Sequence, residues 1–113
     1  MRVLVCGSRH FNDYELLEKT LDEIEITSII HGAARGADTL AGEYANRHAI
    51  PCTEFPADWD QYGRKAGPIR NIRMLKEGAP VLVVAFIAPG SRGTRHMVEI
   101  AKKAGIPVKE INI

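Results

Sequence analysis

The chain has 113 residues, 45% hydrophobic and 26% charged, with 15 basic against 14 acidic side chains for a formal charge of +1. That length holds one domain, residues 1–113, and the composition excludes a disordered or low-complexity chain. The small net charge argues against an electrostatic binder of DNA, and the longest apolar stretch, Ala79 to Pro89, is far too short to cross a bilayer.

In chain order, Arg2 to Cys6 is a β-branched run ended by Gly7. Met1 leads into it without the cleavage region of a signal peptide, so the expected location is the cytoplasm, away from any membrane. Asn12-Asp13-Tyr14-Glu15 has the spacing of a capping box. Tyr14, Leu17, Leu21 and Ile24 then recur at helical intervals. Ile26 to His31 is a second strand, stopped by Gly32. Gly36 to His48 is a helix with Ala37, Leu40, Ala41, Tyr44 and Ala45 on one face, and Pro51 to Phe55 is a weaker third strand. A loop of about a dozen residues follows, longer than usual and therefore a functional suspect. Pro68 suits the first turn of the next helix, whose apolar stripe is Ile69, Ile72 and Leu75. Pro80 to Ile87 is nearly continuous in apolar residues, as a central parallel strand should be. Gly93 to Ala104 forms the last helix, with Met97, Ile100, Ala101 and Ala104 on one face and Gly105 as its stop; Val108 to Ile113 is the fifth strand.

Strands alternating with helices imply a single Rossmann-like α/β three-layer sandwich. The expected sheet is five-stranded and parallel, of order 3-2-1-4-5, with right-handed crossovers and helices on both faces. Ligands of such sheets bind at the carboxyl ends of the strands, here in the crevice between strands one and four. Three glycine- and arginine-bearing turns fall there: Gly7-Ser8-Arg9 after strand one, Gly32 to Asp38 with Arg35 and Gly36 after strand two, and Gly90-Ser91-Arg92-Gly93-Thr94 after strand four. Glycine admits close backbone approach, helix amino termini offer free N–H groups, and arginine presents a fork matched to phosphate oxygens. Any one of these turns alone reads equally well as ordinary turn chemistry.

Charge is unevenly spread. From Gln61 to Arg95 seven basic residues (Arg64, Lys65, Arg70, Arg73, Lys76, Arg92, Arg95) face one acid, Glu77, whereas Asp13 to Glu25 carries six acids against Lys19. A basic segment bordering the crevice favours an anionic ligand, the alternative being a solvated basic face. Trp59 and Tyr62 offer surfaces on which a base could stack, though a lone Trp also serves to cap a small core. Asp38 and Asn71 could bond to a ribose or base edge, and Asp38 equally suits the first turn of a helix. Neither GxGxxG nor GxxxxGK[ST] is present, so a dinucleotide dehydrogenase or a P-loop enzyme is a poor reading, and no cofactor is expected. Cys6 and Cys52 lack CxxC spacing and read as small buried core residues. His10, His31, His48 and His96 are scattered singly and read as structural or solvated, so no metal site is expected.

Gly7-Ser8-Arg9, the run His31 to Ala41, Pro56-Ala57-Asp58-Trp59, Ala66 to Met74 and Gly93-Thr94-Arg95-His96-Met97 together resemble the YspA-like (cpYpsA-related) branch of the SLOG superfamily, over essentially the whole chain. That resemblance implies a Rossmann-like fold, a nucleotide or nucleotide-derived ligand, and a homodimer or higher homo-oligomer. The superfamily includes the LOG phosphoribohydrolases and the DNA-processing protein DprA. Against the LOG motif Pro-Gly-Gly-x-Gly-Thr-x-x-Glu, this chain keeps Pro89, Gly90, Gly93 and Thr94. It has Ser91 at the second glycine and Met97 at the glutamate. Glu99 lies two residues on, about 200° around a helix, and cannot simply replace that carboxylate. Arg70 and Met74 match the LOG Arg-x-x-x-Met pattern. Catalytic residues therefore stay unassigned. The expected function is binding of a nucleotide or nucleotide-derived small molecule, signalling nucleotides included, as sensor or sequestering protein. The alternatives are a LOG-like hydrolase using Asp38, Asp58 or Glu99 and, more weakly, a DprA-like partner of nucleic acid.

Overall fold

The computed structural model describes residues 1–113. Five strands form one parallel sheet: β1 Arg2–Gly7, β2 Ser28–His31, β3 Cys52–Glu54, β4 Leu82–Ile87 and β5 Val108–Asn112, in the order β3-β2-β1-β4-β5. Val3 pairs with Leu82 and with Ile29, which places β1 at the centre between β2 and β4. The helices are α1 Tyr14–Asp22, α2 Ala37–Arg47, α3 Trp59–Tyr62, α4 Ala66–Gly78 and α5 Arg92–Lys103.

Because successive strand residues point to opposite faces, each central strand feeds two cores. Val3, Val5, Ile29, Val84 and Phe86 face α1 and α2, where they pack with Leu17, Leu21, Ala37, Ala41 and Tyr44. Leu4, Cys6, Ile30, Val83, Ala85 and Ile87 face α4 and α5 and meet Met74, Met97, Val98 and Ala101. This double burial is why β1 and β4 read as unbroken apolar runs. Fully burying one such Leu, Val or Phe contributes about 1.5–3 kcal/mol. Phe11, just beyond β1, stacks on Phe86 at 4.7 Å between ring centres and pins the loop that follows β1.

Several local expectations shift. The cap of α1 is Asp13, whose carboxylate accepts from Leu16 N–H at 3.1 Å, so the Asn12–Glu15 capping box does not form. Two good capping residues stand side by side, and the helix starts after the second of them. β2 starts at Ser28 rather than Ile26. The long segment after β3 is not an open loop: Asp58 caps the single turn of α3 through Gln61 N–H, a 3₁₀ turn at Gly63–Lys65 follows, and α4 begins at Ala66. Pro68 still sits in the first turn of α4. Cys6 is buried, but Cys52 is exposed, because β3 is the sheet edge and all three of its residues face solvent.

Candidate functional site

β1 and β4 are neighbours whose following helices lie on opposite faces, so their carboxyl ends part and leave a crevice. A cleft of about 520 Å³ opens there, within the range of small-molecule sites. Of the fifteen residues expected from sequence, it gathers Gly7, Ser8, Arg9, Asp38, Trp59, Arg70, Asn71, Gly90, Ser91, Arg92, Gly93 and Thr94. Gly32, Arg35 and Gly36 lie outside its lining, and Arg35 is exposed. The cleft adds Cys6, His10, Ala34, Met74 and Pro89. Each adjoins or faces an expected residue, but only the folded chain turns them inward.

The turn after β4 leaves donors free. Gly90 adopts φ +80°, and Ser91, the cap of α5, spends its hydroxyl accepting from Ala88 N–H at 3.3 Å. Arg95 N–H closes onto the Ser91 carbonyl, whereas the N–H groups of Gly93 and Thr94 donate to nothing in the chain. Two unpaired N–H groups at the positive end of a twelve-residue helix suit an anion.

The turn after β2 behaves differently. Four of its N–H groups are already taken: Gly32 and Ala34 donate to Asp38 Oδ2 at 3.2 and 3.1 Å, Ala33 to His31 Nδ1 at 3.0 Å, and Ala37 to the Ser8 carbonyl at 3.2 Å, while those of Arg35 and Gly36 donate to nothing in the chain. Asp38, itself buried, thus supplies an internal acceptor to part of the turn that the sequence offers to a phosphate. Gly36 makes the closure possible. At φ +73° it lies so close to the loop after β1 that an added Cβ would stand 2.2 Å from the Ser8 carbonyl oxygen.

From α4, Arg70 donates to the Gly32 carbonyl through Nη1 and to Asn71 Oδ1 through Nε. The backbone of Gly32 is therefore held at both its polar groups, its N–H by Asp38 and its carbonyl by Arg70. Asn71, also buried, donates to the Gly93 carbonyl at 3.2 Å and to His96 Nδ1 at 3.1 Å. Arg70 and Asn71 so tie the turn after β2 to the turn after β4. Asn71 is a brace between loops; its amide nitrogen is spent on protein acceptors. Trp59 stands on the rim, 60% exposed, with its ring 3.5 Å from where a Cβ on Gly67 would sit. It caps no core, so its ring face is open to a ligand.

Burial sets the electrostatics. It pushes the Asp38 carboxyl above its ordinary value, opposed by the Ala34 N–H, His31 and Arg70. It also lowers Arg70, opposed by Asp38. The Cys6 thiol is pushed far up by burial and then by Asp38, so it stays protonated and is no nucleophile. Arg9, His10, Arg70 and Arg92 line the cleft against a single acid. Asp58 and Glu99 do not reach it; Asp58 caps α3, and Glu99 pairs with Lys103 on the far side of α5. Met97 is fully buried against the sheet.

A family model for the YspA, cpYpsA-related SLOG family matches residues 1–62, which carry the turns after β1 and β2 and reach Trp59. The chain belongs to this SLOG family. The gene 61 protein of Mycobacterium phage D29 is similar over nearly all of it, 41% identical across 117 aligned positions that cover 95% of this chain and 93% of that one. The likeness to that phage protein extends through α4 and α5, beyond the reach of the SLOG family model. No solved structure matches. No helix is long and apolar enough to cross a membrane.

Proposed function

We propose that this SLOG protein binds a nucleotide or nucleotide-derived ligand in the cleft between β1 and β4. The observation that carries the reading is the free pair of N–H groups at Gly93 and Thr94, set among Arg9, Arg70 and Arg92 with the open face of Trp59 on the rim. The helix end suits the phosphate and the indole suits the base, so a mononucleotide matches both better than inorganic phosphate does.

Binding is favoured over hydrolysis. Cleaving a glycosidic bond builds positive charge on the sugar, and a hydrolase needs a carboxylate beside the anomeric carbon. Asp38 is the one carboxylate in the cleft, and two backbone N–H groups occupy its Oδ2. The residue at the position of the LOG glutamate, Met97, is a core side chain.

The decisive experiment pairs mass spectrometry of ligand released from natively purified protein with titration of AMP-type nucleotides against Trp59 fluorescence. Saturable quenching is expected. Trp59→Ala, followed by calorimetry, should weaken nucleotide binding by about 1–3 kcal/mol, the scale of base stacking, while leaving inorganic phosphate unaffected. Release of free base at about 1 s⁻¹ or faster would replace this reading with an enzymatic one.

A further inference from the structure

A second groove, also about 520 Å³, lies between the outer face of α2 and the edge strand β3. It shares only Ala34 with the cleft. His31 forms its floor and is 3% exposed. Its Nδ1 accepts from the Ala33 N–H, which leaves the proton of the neutral ring on Nε2. That Nε2–H is buried without a hydrogen-bond partner. Oε1 of Glu54 is 3.7 Å away, beyond a direct bond. His31 and Glu54 are register partners on neighbouring strands, so the donor and the carboxylate stand side by side. Gly42 leaves room for the ring; an added Cβ would sit 3.1 Å from Nε2. A buried donor without an acceptor is uncommon and calls for a partner.

The chemistry narrows what that partner is. A metal ion needs a lone pair on Nε2, yet with the Ala33 N–H on Nδ1 only an imidazolate would provide one. A phosphate would meet the Glu54 carboxylate and no lysine or arginine among the lining residues. What complements an N–H donor beside a carboxylate is a C=O beside an N–H, the lactam edge of an oxopurine, an oxopyrimidine or a cyclic amide.

We propose that this groove is a second ligand site for a lactam edge, with the carbonyl oxygen on His31 Nε2–H and the ring N–H on Glu54. Glu54 is 63% exposed and free to turn as the edge enters. Gly42, Ala33 and Ile50 supply apolar walls for a flat ring, and Asn46 offers an amide at the rim. The proposal does not depend on nucleotide binding in the cleft.

The test uses the full ¹⁵N-labelled chain, titrated with hypoxanthine and followed by the His31 ring nitrogens and the Asn46 and Ile50 amides. Saturable shifts are expected. They should weaken at least tenfold with 1-methylhypoxanthine, which lacks the lactam N–H, and with Glu54→Ala, whose exposed site leaves the remaining amide spectrum in place to report folding. Absent shifts up to the solubility limit, equal shifts with the methylated base or in Glu54→Ala, or a bound water at Nε2 that hypoxanthine leaves undisturbed would each overturn the proposal. Hypoxanthine binding here alongside failure of AMP in the cleft would sink only the nucleotide reading of the cleft.

Discussion

Removing the Asp38 carboxylate should unfasten the turn after β2. Its Oδ2 accepts two backbone N–H bonds at 3.2 and 3.1 Å, and bonds to a charged group contribute about 1.5–3 kcal/mol each. Lengths at the long end of the range favour the lower figure, so the pair contributes about 3 kcal/mol. Taking a buried charge away offsets part of this, and Asp38→Ala should cost about 2–3 kcal/mol, whereas Asp38→Asn keeps an acceptor and should cost about 1 kcal/mol. Urea unfolding at neutral pH, with unchanged slope across the variants, measures both. Acid should then separate Asp38 from the other carboxylates. Its folded value is raised above the ordinary 3.8, so between the two values the native state holds a proton that the unfolded chain has released. Stability contributed by this group therefore grows as the pH falls from neutral through the raised value, and levels off near 3.8. Glu77, lowered by the hydrogen bond from Arg73, works in the opposite sense, so the informative curve is wild type minus Asp38→Asn. A loss under about 0.5 kcal/mol in Asp38→Ala would refute the fastening role of the carboxylate, and a flat difference curve would refute the dominance of burial over its hydrogen bonds.

Gly36→Ala should cost at least about 3 kcal/mol, because it combines a left-handed φ with a collision against the fixed Ser8 carbonyl; Gly90→Ala, at φ +80° in open space, should cost about 1 kcal/mol. Chemical denaturation of the two variants checks the contrast. Arg70→Ala should weaken nucleotide binding at least tenfold and also lower stability by about 1.5–3 kcal/mol, since it gives up bonds to Gly32 and Asn71. Arg35→Ala should move affinity less than twofold and stability by no more than about 0.5 kcal/mol. Calorimetric titration beside thermal melts distinguishes them, and a larger binding loss for Arg35 than for Arg70 would overturn the assignment of the anion site.

The sheet was legible because its signal is local. A strand buried on both faces needs an apolar run, and Leu82–Ile87 could hardly be anything else. Its neighbours follow from chain order and crossover handedness. The edge of the cleft was legible for a similar reason, since glycine and arginine gather at strand ends. What each turn does with its N–H groups was not legible. Gly32–Asp38 and Gly90–Thr94 look alike as strings, yet one spends two N–H groups on its own aspartate and the other spends none on a carboxylate. The difference lies in the reach of Asp38 from α2 and of Arg70 from α4, residues brought together across 32 positions of chain. Short-range competition hid the α1 cap as well, where Asn12 and Asp13 are both good candidates and backbone geometry picks one. The unpartnered ring nitrogen of His31 could not be foreseen, because a single histidine in a strand carries no mark of the Glu54 and Gly42 that surround it.

The two ends of the sheet also bear on how the protein behaves when crowded with copies of itself. An open parallel sheet exposes unpaired backbone at both margins, and such margins invite strand-to-strand aggregation. Here one margin, β3, is three residues long, too short to template much pairing. The other, β5, is longer but armed: Lys109 and Glu110 project from it as a charged pair, held by Glu23 and Lys102 from the neighbouring segments. Any intruding strand would have to desolvate or displace those ion pairs before its own ladder could form. The fold thus carries its guard against self-polymerisation on its two outermost strands, leaving the central pair, β1 and β4, free to be as apolar as the core demands.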